Sequence, residues 1–310
     1  MSDCGGFHLR CAGGYGGGRR CGCPAGRKIP FDQRAAHLHI DSLAELPALA
    51  ACGGKRIRAA FFDVDGTLLT VGGHRMPPGV APALQALQRS GVQVFLCTGR
   101  HALEIEEENM LPGITVDGAV YMNGQLCELQ GQIVRETPIP AGDLSALKQF
   151  LQKKNCSCIF LEKDRMYANC VNARMEIEQA KIGTAVPAVR DISDLETRRI
   201  YQVIPFVNEE EEEELLRQMP HCRTKRWGDA VVDLMSRTGG KENGIRACVR
   251  QSVSPQRKPL PLEMPKTIWK CCSWPVSAWQ WVMLCRRCAP VPIWSQTPWK
   301  MTASPMHSED

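Results

Sequence analysis

The sequence lacks an apolar run near the roughly 18 residues that a membrane-spanning helix needs. It also lacks a continuous apolar segment at its N-terminus, so neither a membrane span nor a secretory signal is expected. Charge of one sign is not in excess. The 38 Lys and Arg against 33 Asp and Glu leave +5, too small and too dispersed to specify nucleic acid as a partner. With 44% apolar and 23% charged residues, a disordered, collagen-like or small disulfide-stapled chain is excluded. What remains is a soluble, cytoplasmic globular protein of one large or two smaller domains. The 16 cysteines are the anomaly, because a cytosol keeps thiols reduced.

The absences are also local. Residues 251–310 contain no glycine, yet hold six of the seven tryptophans and nine of the 21 prolines. Neither a period of two nor one of 3.6 runs through them. Residues 1–56 are the reverse, with 11 of the 27 glycines and Cys4, Cys11, Cys21 and Cys23. Cys21 and Cys23 are one residue apart, closer than the roughly two to four of a zinc pair, and no second pair follows at finger spacing. We read this stretch as a flexible Gly/Cys-rich extension, or as upstream sequence translated from a wrong start. Residues 57–250 read as ordinary α/β sequence.

Ile57–Phe62 is a short apolar run that fits a strand buried on both faces of a parallel sheet. It leads into Asp63-Val64-Asp65-Gly66-Thr67. Ligands of open α/β sheets bind at the carboxyl ends of strands, so two carboxylates two residues apart would sit at such a mouth. Gly66 lets the chain turn sharply. The spacing suits phosphoryl transfer. One carboxylate can attack phosphorus and the other can donate a proton, then activate water. Two like charges this close also invite Mg2+. The string resembles the first motif of the haloacid dehalogenase-like (HAD) phosphohydrolase superfamily, Asp-x-Asp-x-Thr after a buried strand. The resemblance implies that Asp63 is the nucleophile, that Asp65 is the general acid/base and that Thr67 supports the loop.

Val80, Ala83, Leu84 and Leu87 form one helical face, and Gly91 is a natural stop. Residues 92–97 read as a second buried strand ending in Thr98-Gly99-Arg100, 35 residues after Asp63. A hydroxyl and adjacent backbone N–H groups there can grip a phosphate oxygen. By the resemblance Thr98 is the phosphate ligand of the second motif. Cys97, with no His or Asn constellation, is read as a small buried apolar residue. Tyr121-Met122-Asn123-Gly124 closes a strand with a turn signal. In the Cof-type branch of the superfamily an Asn-Gly here lies near the active site. Gly66, Thr67, Gly99, Arg100 and Asn123 are therefore the candidate substrate-binding residues.

Residues 125–225 fit an inserted α/β cap. Leu144, Leu147, Phe150 and Leu151 give a helical face with Asp143 as N-cap. Residues 158–161 and 165–168 suggest a hairpin. The six consecutive acids from Glu209 to Glu214 are read as a solvated helix start rather than a metal tract. Beyond the cap, Val231 to Met235 is expected to return to the core. Lys241 then follows Gly239-Gly240. By the resemblance it pairs with the nucleophile and phosphate, where its ammonium offsets their charge. Gly228-Asp229 with Asp233 imitates the superfamily's fourth, acidic motif. It stands before the lysine instead of after it, so we read it as a decoy.

Residues 251–310 contain only Glu263, Glu309 and Asp310 as acids, and no pair is spaced for a metal. The genetic code supplies a reason. Residues 262–272, back-translated with suitable synonymous codons and read one base earlier, give FGDAENDMEML, the missing fourth motif. Shifted in the same way, residues 257–261 can give ETIA, residues 272–284 QLAGIGVAMGNA and residues 293–308 DLVTDTVEDDGIANAL. Trp and Met codons allow no choice, so chance agreement over all four segments is not credible. The frame changes between about Ala247 and Arg257. The tryptophan stripe and Cys271, Cys272, Cys285 and Cys288 are then by-products of codons.

The expected architecture is α/β: a Rossmann-like parallel-sheet core with an inserted cap, the C-terminal part of the core missing or non-native. Its divisions are an extension (1–56), core (57–124), cap (125–225), core return (226–250) and frameshifted tail (251–310). The expected activity is Mg2+-dependent hydrolysis of a small phosphorylated metabolite, with Asp63 and the backbone carbonyl of Asp65 as the metal ligands that the resemblance implies, and the written chain impaired. The alternatives are a non-catalytic phosphoester-binding protein, and an enzyme using Asp229 or Asp233 for metal. The specific phosphoester and the oligomeric state are not written in the sequence.

Overall fold

The computed structural model describes residues 38–40, 57–70, 75–253, 282–286 and 289–295. In chain order the elements are β1 (Leu38–Ile40), β2 (Ile57–Phe62), α1 (Val80–Arg89), β3 (Gln93–Cys97), α2 (Ala102–Glu107), β4 (Gly118–Tyr121), a 3-10 turn (Met122–Gly124), β5 (Leu126–Leu129) and β6 (Gln132–Glu136). They continue as α3 (Ala141–Lys153), β7 (Cys158–Leu161), β8 (Met166–Ala168), α4 (Ala173–Ile182), β9 (Gln202–Pro205), α5 (Glu209–Gln218), β10 (Cys222–Gly228), β11 (Val231–Ser236), α6 (Lys241–Val253), β12 (Val282–Arg286) and β13 (Ala289–Ser295).

Two sheets organise the described residues. The core sheet has the order β1-β13-β12-β2-β3-β4-β5-β6, and its centre, β2-β3-β4, is parallel. Both faces of this centre are buried, as the apolar runs require. Ala60, Phe62, Val94 and Leu96 face one cluster with the α1 residues Val80, Ala83, Leu84 and Leu87. Ala59, Phe61, Phe95 and Cys97 face the other, against Ile245, Cys248 and Val249 of α6. Phe61 and Phe95 stack with ring centroids 4.5 Å apart. Gly91, at φ +83°, ends the α1 region as expected.

The cap sheet has the order β10-β11-β9-β7-β8. One face packs under α3 and α5 through Leu147, Phe150, Phe160, Val203, Leu215 and Leu234. The other meets the core, where Ile159, Leu161, Tyr201 and Val231 share an apolar cluster with Met122 and Leu126. The acidic run does start a helix. Asn208 caps α5 in a capping box with Glu211, and four acids occupy the first turn, where the helix dipole favours negative charge.

Three expectations need correction. Sheet membership divides the chain differently from composition: β5 and β6 extend the core sheet, so residues 126–136 are not cap. In turn β10 and β11 belong to the cap sheet, so residues 231–235 do not return to the core. Antiparallel pairing explains both, because a hairpin adds to whichever edge it leaves. Asp143 is not the N-cap of α3, which is Pro140. Its buried carboxylate instead accepts from the His221 backbone N–H (3.1 Å) and the Cys222 thiol (3.3 Å). On its other side β2 pairs antiparallel with β12. The Gly/Cys-rich extension other than β1, and the tail other than β12 and β13, lie outside the described residues.

Candidate active site

The site forms where β2 and β3 end. Asp63 follows the last residue of β2, and its Oδ1 accepts the Val64 N–H at 2.9 Å. The Val64 carbonyl accepts in turn from the N–H groups of Thr67, Leu68 and Leu69, at 3.3, 3.0 and 2.9 Å. This tight loop needs Gly66 at φ +73°, a conformation costly for residues with a Cβ. The Lys241 ammonium, on the first residue of α6, lies 3.1 Å from Asp63 Oδ2. Arg100 grips Asp65 with both arms, Nε to Oδ2 and Nη2 to Oδ1, each at 2.8 Å. Such a bidentate pair fixes the direction of both side chains.

Thr98 is fully buried at the end of β3. Its N–H donates to the Val120 carbonyl (2.9 Å), and its hydroxyl oxygen accepts the Arg100 N–H (3.1 Å). The Thr98 carbonyl accepts the Asn123 N–H at 2.9 Å, so the Thr98-Gly99-Arg100 loop lies against the turn at Asn123. That turn is backbone-strained. Met122 and Asn123 have φ of +48° and +56°, uncommon for residues with side chains, and Gly124 has +88°. A Cβ on Gly124 would lie 2.2 Å from the Gly240 carbonyl oxygen, so only glycine permits this approach to the segment carrying Lys241.

Asp63, Asp65, Gly66, Gly99, Arg100, Asn123 and Lys241 thus line one cavity of about 660 Å3. Thr67 and Thr98 are buried beneath its wall. The far wall comes from the cap sheet and carries residues that sequence reasoning missed: Gln202, Lys225 and Trp227, beside the apolar Ile159, Leu161 and Ile204. The missed signal is the period of two. Residues 225 and 227 of β10, and 202 and 204 of β9, alternate onto one face. Trp227 is also the tryptophan outside residues 251–310.

Of the two decoy acids, Asp229 is exposed at the turn between β10 and β11. Asp233 is buried on the cavity wall, its Oδ2 accepting from Asn123 Nδ2 (2.9 Å) and its Oδ1 from Trp227 Nε1 (3.0 Å). Burial pushes its carboxyl pKa up, against the opposing pull of Lys225, these two donors and Lys241. Burial likewise raises Glu104, which faces Arg100 at 3.7 Å. It lowers His101, the N-cap of α2, whose Nδ1 accepts the Leu103 N–H and whose Nε2 donates to the Glu162 carbonyl of the cap at 2.6 Å. Among the described residues, no three His, Cys, Asp or Glu side chains converge as a metal cage. The Asp63 carboxylate and the Asp65 backbone carbonyl remain as oxygen donors that would suit Mg2+, because that ion keeps several waters and uses substrate phosphate as ligand. No helix of the described residues is long and apolar enough to cross a membrane.

Comparison with known proteins identifies the family. The sequence model of haloacid dehalogenase-like hydrolases matches residues 60–257, more than half of the chain. YkrA of Bacillus subtilis (strain 168), provisionally named a phosphatase, is 24% identical over 193 residues, 62% of this chain and 73% of that protein. The solved structure of the HAD subclass IIB sugar phosphatase BT4131 is 30% identical with a TM-score of 0.53, covering 63% of this chain and 75% of its own. A structure from Geobacillus kaustophilus HTA426, also 30% identical, covers the same shares with a TM-score of 0.57. The chain belongs to the haloacid dehalogenase-like hydrolases, a family of phosphatases, and to their Cof-type branch.

Proposed function

We propose that this phosphatase hydrolyses small phosphomonoesters, sugar phosphates among them, through an aspartyl-phosphate on Asp63. The observation that carries the reading is Lys241 Nζ at 3.1 Å from Asp63 Oδ2 at the mouth of β2. An ammonium there offsets the charge of the carboxylate and of an arriving phosphoryl group. Asp63 attacks phosphorus as the ester P–O bond breaks, and Asp65 gives its proton to the leaving alkoxide. The Asp65 carboxylate then takes a proton from water. The resulting hydroxide attacks phosphorus, releasing phosphate and restoring Asp63. Both Asp65 oxygens accept from Arg100 in the free protein, so this pair opens when Asp65 carries the proton. Mg2+, held by the Asp63 carboxylate and the Asp65 backbone carbonyl, would neutralise charge developing on the phosphoryl oxygens. Sugar phosphates are proposed because BT4131 is a sugar phosphatase and the cavity wall mixes Trp227 with Gln202 and Lys225.

A second reading rests on a different observation: among the described residues no third His, Cys, Asp or Glu joins Asp63 and Asp65 in a group that could hold a metal. The family match ends at residue 257, beside the inferred change of frame. The chain as written would then bind phosphoesters and turn them over poorly. The test compares the written chain with one whose residues after about 250 follow the shifted reading. We expect Mg2+-dependent phosphate release at least 10^3-fold faster in the second chain, the order lost when a reacting group is removed. Equal rates would overturn the impairment. Phosphate release surviving Asp63→Asn in both would overturn the enzyme reading. Peptide mass spectrometry of the native protein's C-terminus would show which reading the cell makes.

A further inference from the structure

The mechanism leaves one buried charged group of the cavity wall without a task, Asp233. Each of its oxygens faces an N–H donor, Asn123 Nδ2 at 2.9 Å and Trp227 Nε1 at 3.0 Å. An amide would set an N–H against one of them, whereas a carboxylate offers an acceptor to each, so these two contacts favour the charged form while burial opposes it. The two donors come from different bodies. Trp227 belongs to the cap sheet with Asp233 itself, and Asn123 belongs to the core turn. Gln202 of the cap accepts from the same Asn123 amide at 3.2 Å.

Asn123 in turn touches both halves of the phosphate end. Its backbone N–H donates to the Thr98 carbonyl, and its side chain packs on Gly99, where a Cβ would lie 3.2 Å from Nδ2. Its neighbour Gly124 abuts the Gly240 carbonyl next to Lys241. The strained φ values at Met122 and Asn123 mean that the turn does not hold this shape by itself. An outside group must fix it, and the buried carboxylate is placed to do so.

We infer that Asp233 is a positioning residue through which the cap sheet holds the Asn123 turn, and with it the Thr98–Arg100 loop and Lys241, in the phosphate-binding arrangement. The cap thereby acts on the chemistry of the core as well as on the leaving group. This rests on the proposed function only for the meaning of the phosphate end; the mechanical link stands on its own contacts.

Amide hydrogen exchange on the full chain tests the link without requiring turnover. Asp233→Asn keeps the shape and removes the charge and one acceptor. We expect exchange at residues 121–125 and 98–100 to rise at least tenfold, with α5 (Glu209–Gln218) unchanged as an internal reference. A global fold defect would raise exchange in α5 as well. Unchanged exchange at the turn overturns the inference. Should Asp233→Asn fail to fold, Gln202→Met removes the other acceptor of the same amide, and we expect a threefold rise at the same residues; no rise again overturns it. Calorimetry with inorganic phosphate separates the two ideas. A wild-type chain that binds no phosphate defeats the proposed site while exchange still decides the link. Phosphate affinity lowered about tenfold by Asp233→Asn, and no further by adding Asn123→Ala, is the expected result. Additive losses would mean that the two residues act separately.

Discussion

The two walls of the cavity differ in how they are built. The core wall takes its polar groups from loops at strand ends: Asp63 and Asp65 after β2, Arg100 after β3, and Lys241 at the start of α6. The cap wall takes its groups from within strands, with Gln202 in β9, Lys225 and Trp227 in β10, and Asp233 in β11. Loop ends can converge on one phosphorus atom from several directions, as reaction chemistry requires. A sheet face offers a spread of side chains at fixed spacing, which suits recognition of an extended leaving group. The core wall is therefore expected to govern kcat, and the cap wall, Asp233 apart, KM and substrate choice.

Substitutions break or sharpen that contrast. On the chain with the restored C-terminal reading, Asp63→Asn should lower kcat by about 10^3-fold or more, and Lys241→Ala by about 10^2-fold, in steady-state phosphate release. Comparable losses from cap residues alone would erase the distinction. Lys225→Ala and Trp227→Ala should raise KM for the preferred phosphoester about tenfold and change kcat by less than about threefold. A fall in kcat from either, with KM constant, would place the cap in the chemistry itself.

The joint between the walls can be probed by stability. Gly124→Ala forces a Cβ to within 2.2 Å of Gly240 O at φ +88°, and it should cost about 3 kcal/mol. Gly113 also has a positive φ, +73°, but no atom lies within 4 Å of its virtual Cβ. Gly113→Ala should cost only about 1 kcal/mol, seen in denaturant melts. Equal costs would mean that the close approach at Gly124 is not rigid.

The smallest expected effect is a pH slope. Asp233 has its pKa raised above the ordinary 3.8, so the folded chain holds this proton more tightly than the unfolded chain. Stability from this group is present below the ordinary value and is lost as pH rises through the raised one. Asp233→Asn removes the dependence. The Tm difference between wild type and variant should move in favour of wild type as pH falls toward 4. A constant difference would mean that Asp233 titrates as an ordinary carboxylate.

The core wall was legible in the sequence because its groups occupy short motifs joined to apolar strands. Asp63, Asp65, Arg100 and Lys241 each follow a pattern whose place in a sheet can be read from hydrophobic runs and glycines. The cap wall was not legible, since Gln202, Lys225 and Trp227 look like ordinary polar and aromatic positions of half-buried strands. Asp233 was weighed as a metal ligand because of its spacing from Asp229. Strand geometry separates them, leaving Asp229 in the turn and Asp233 on the wall. The boundary between core and cap was also misplaced, because hairpins such as β5-β6 and β10-β11 carry no local mark of the sheet they join.

The sequence by itself determined the family, the order of the strands that carry Asp63 and Thr98, and the chemistry those residue types can perform. These follow from local pattern, which a short stretch of chain contains in full. The family resemblance also implied that Lys241 pairs with Asp63, 178 positions away, whereas only the tertiary structure decided that Asp233 and Gln202 meet Asn123 from another sheet. Such contacts depend on how two separately folded faces pack. Packing is fixed by the sum of many weak contacts along both faces, and no single segment encodes that sum.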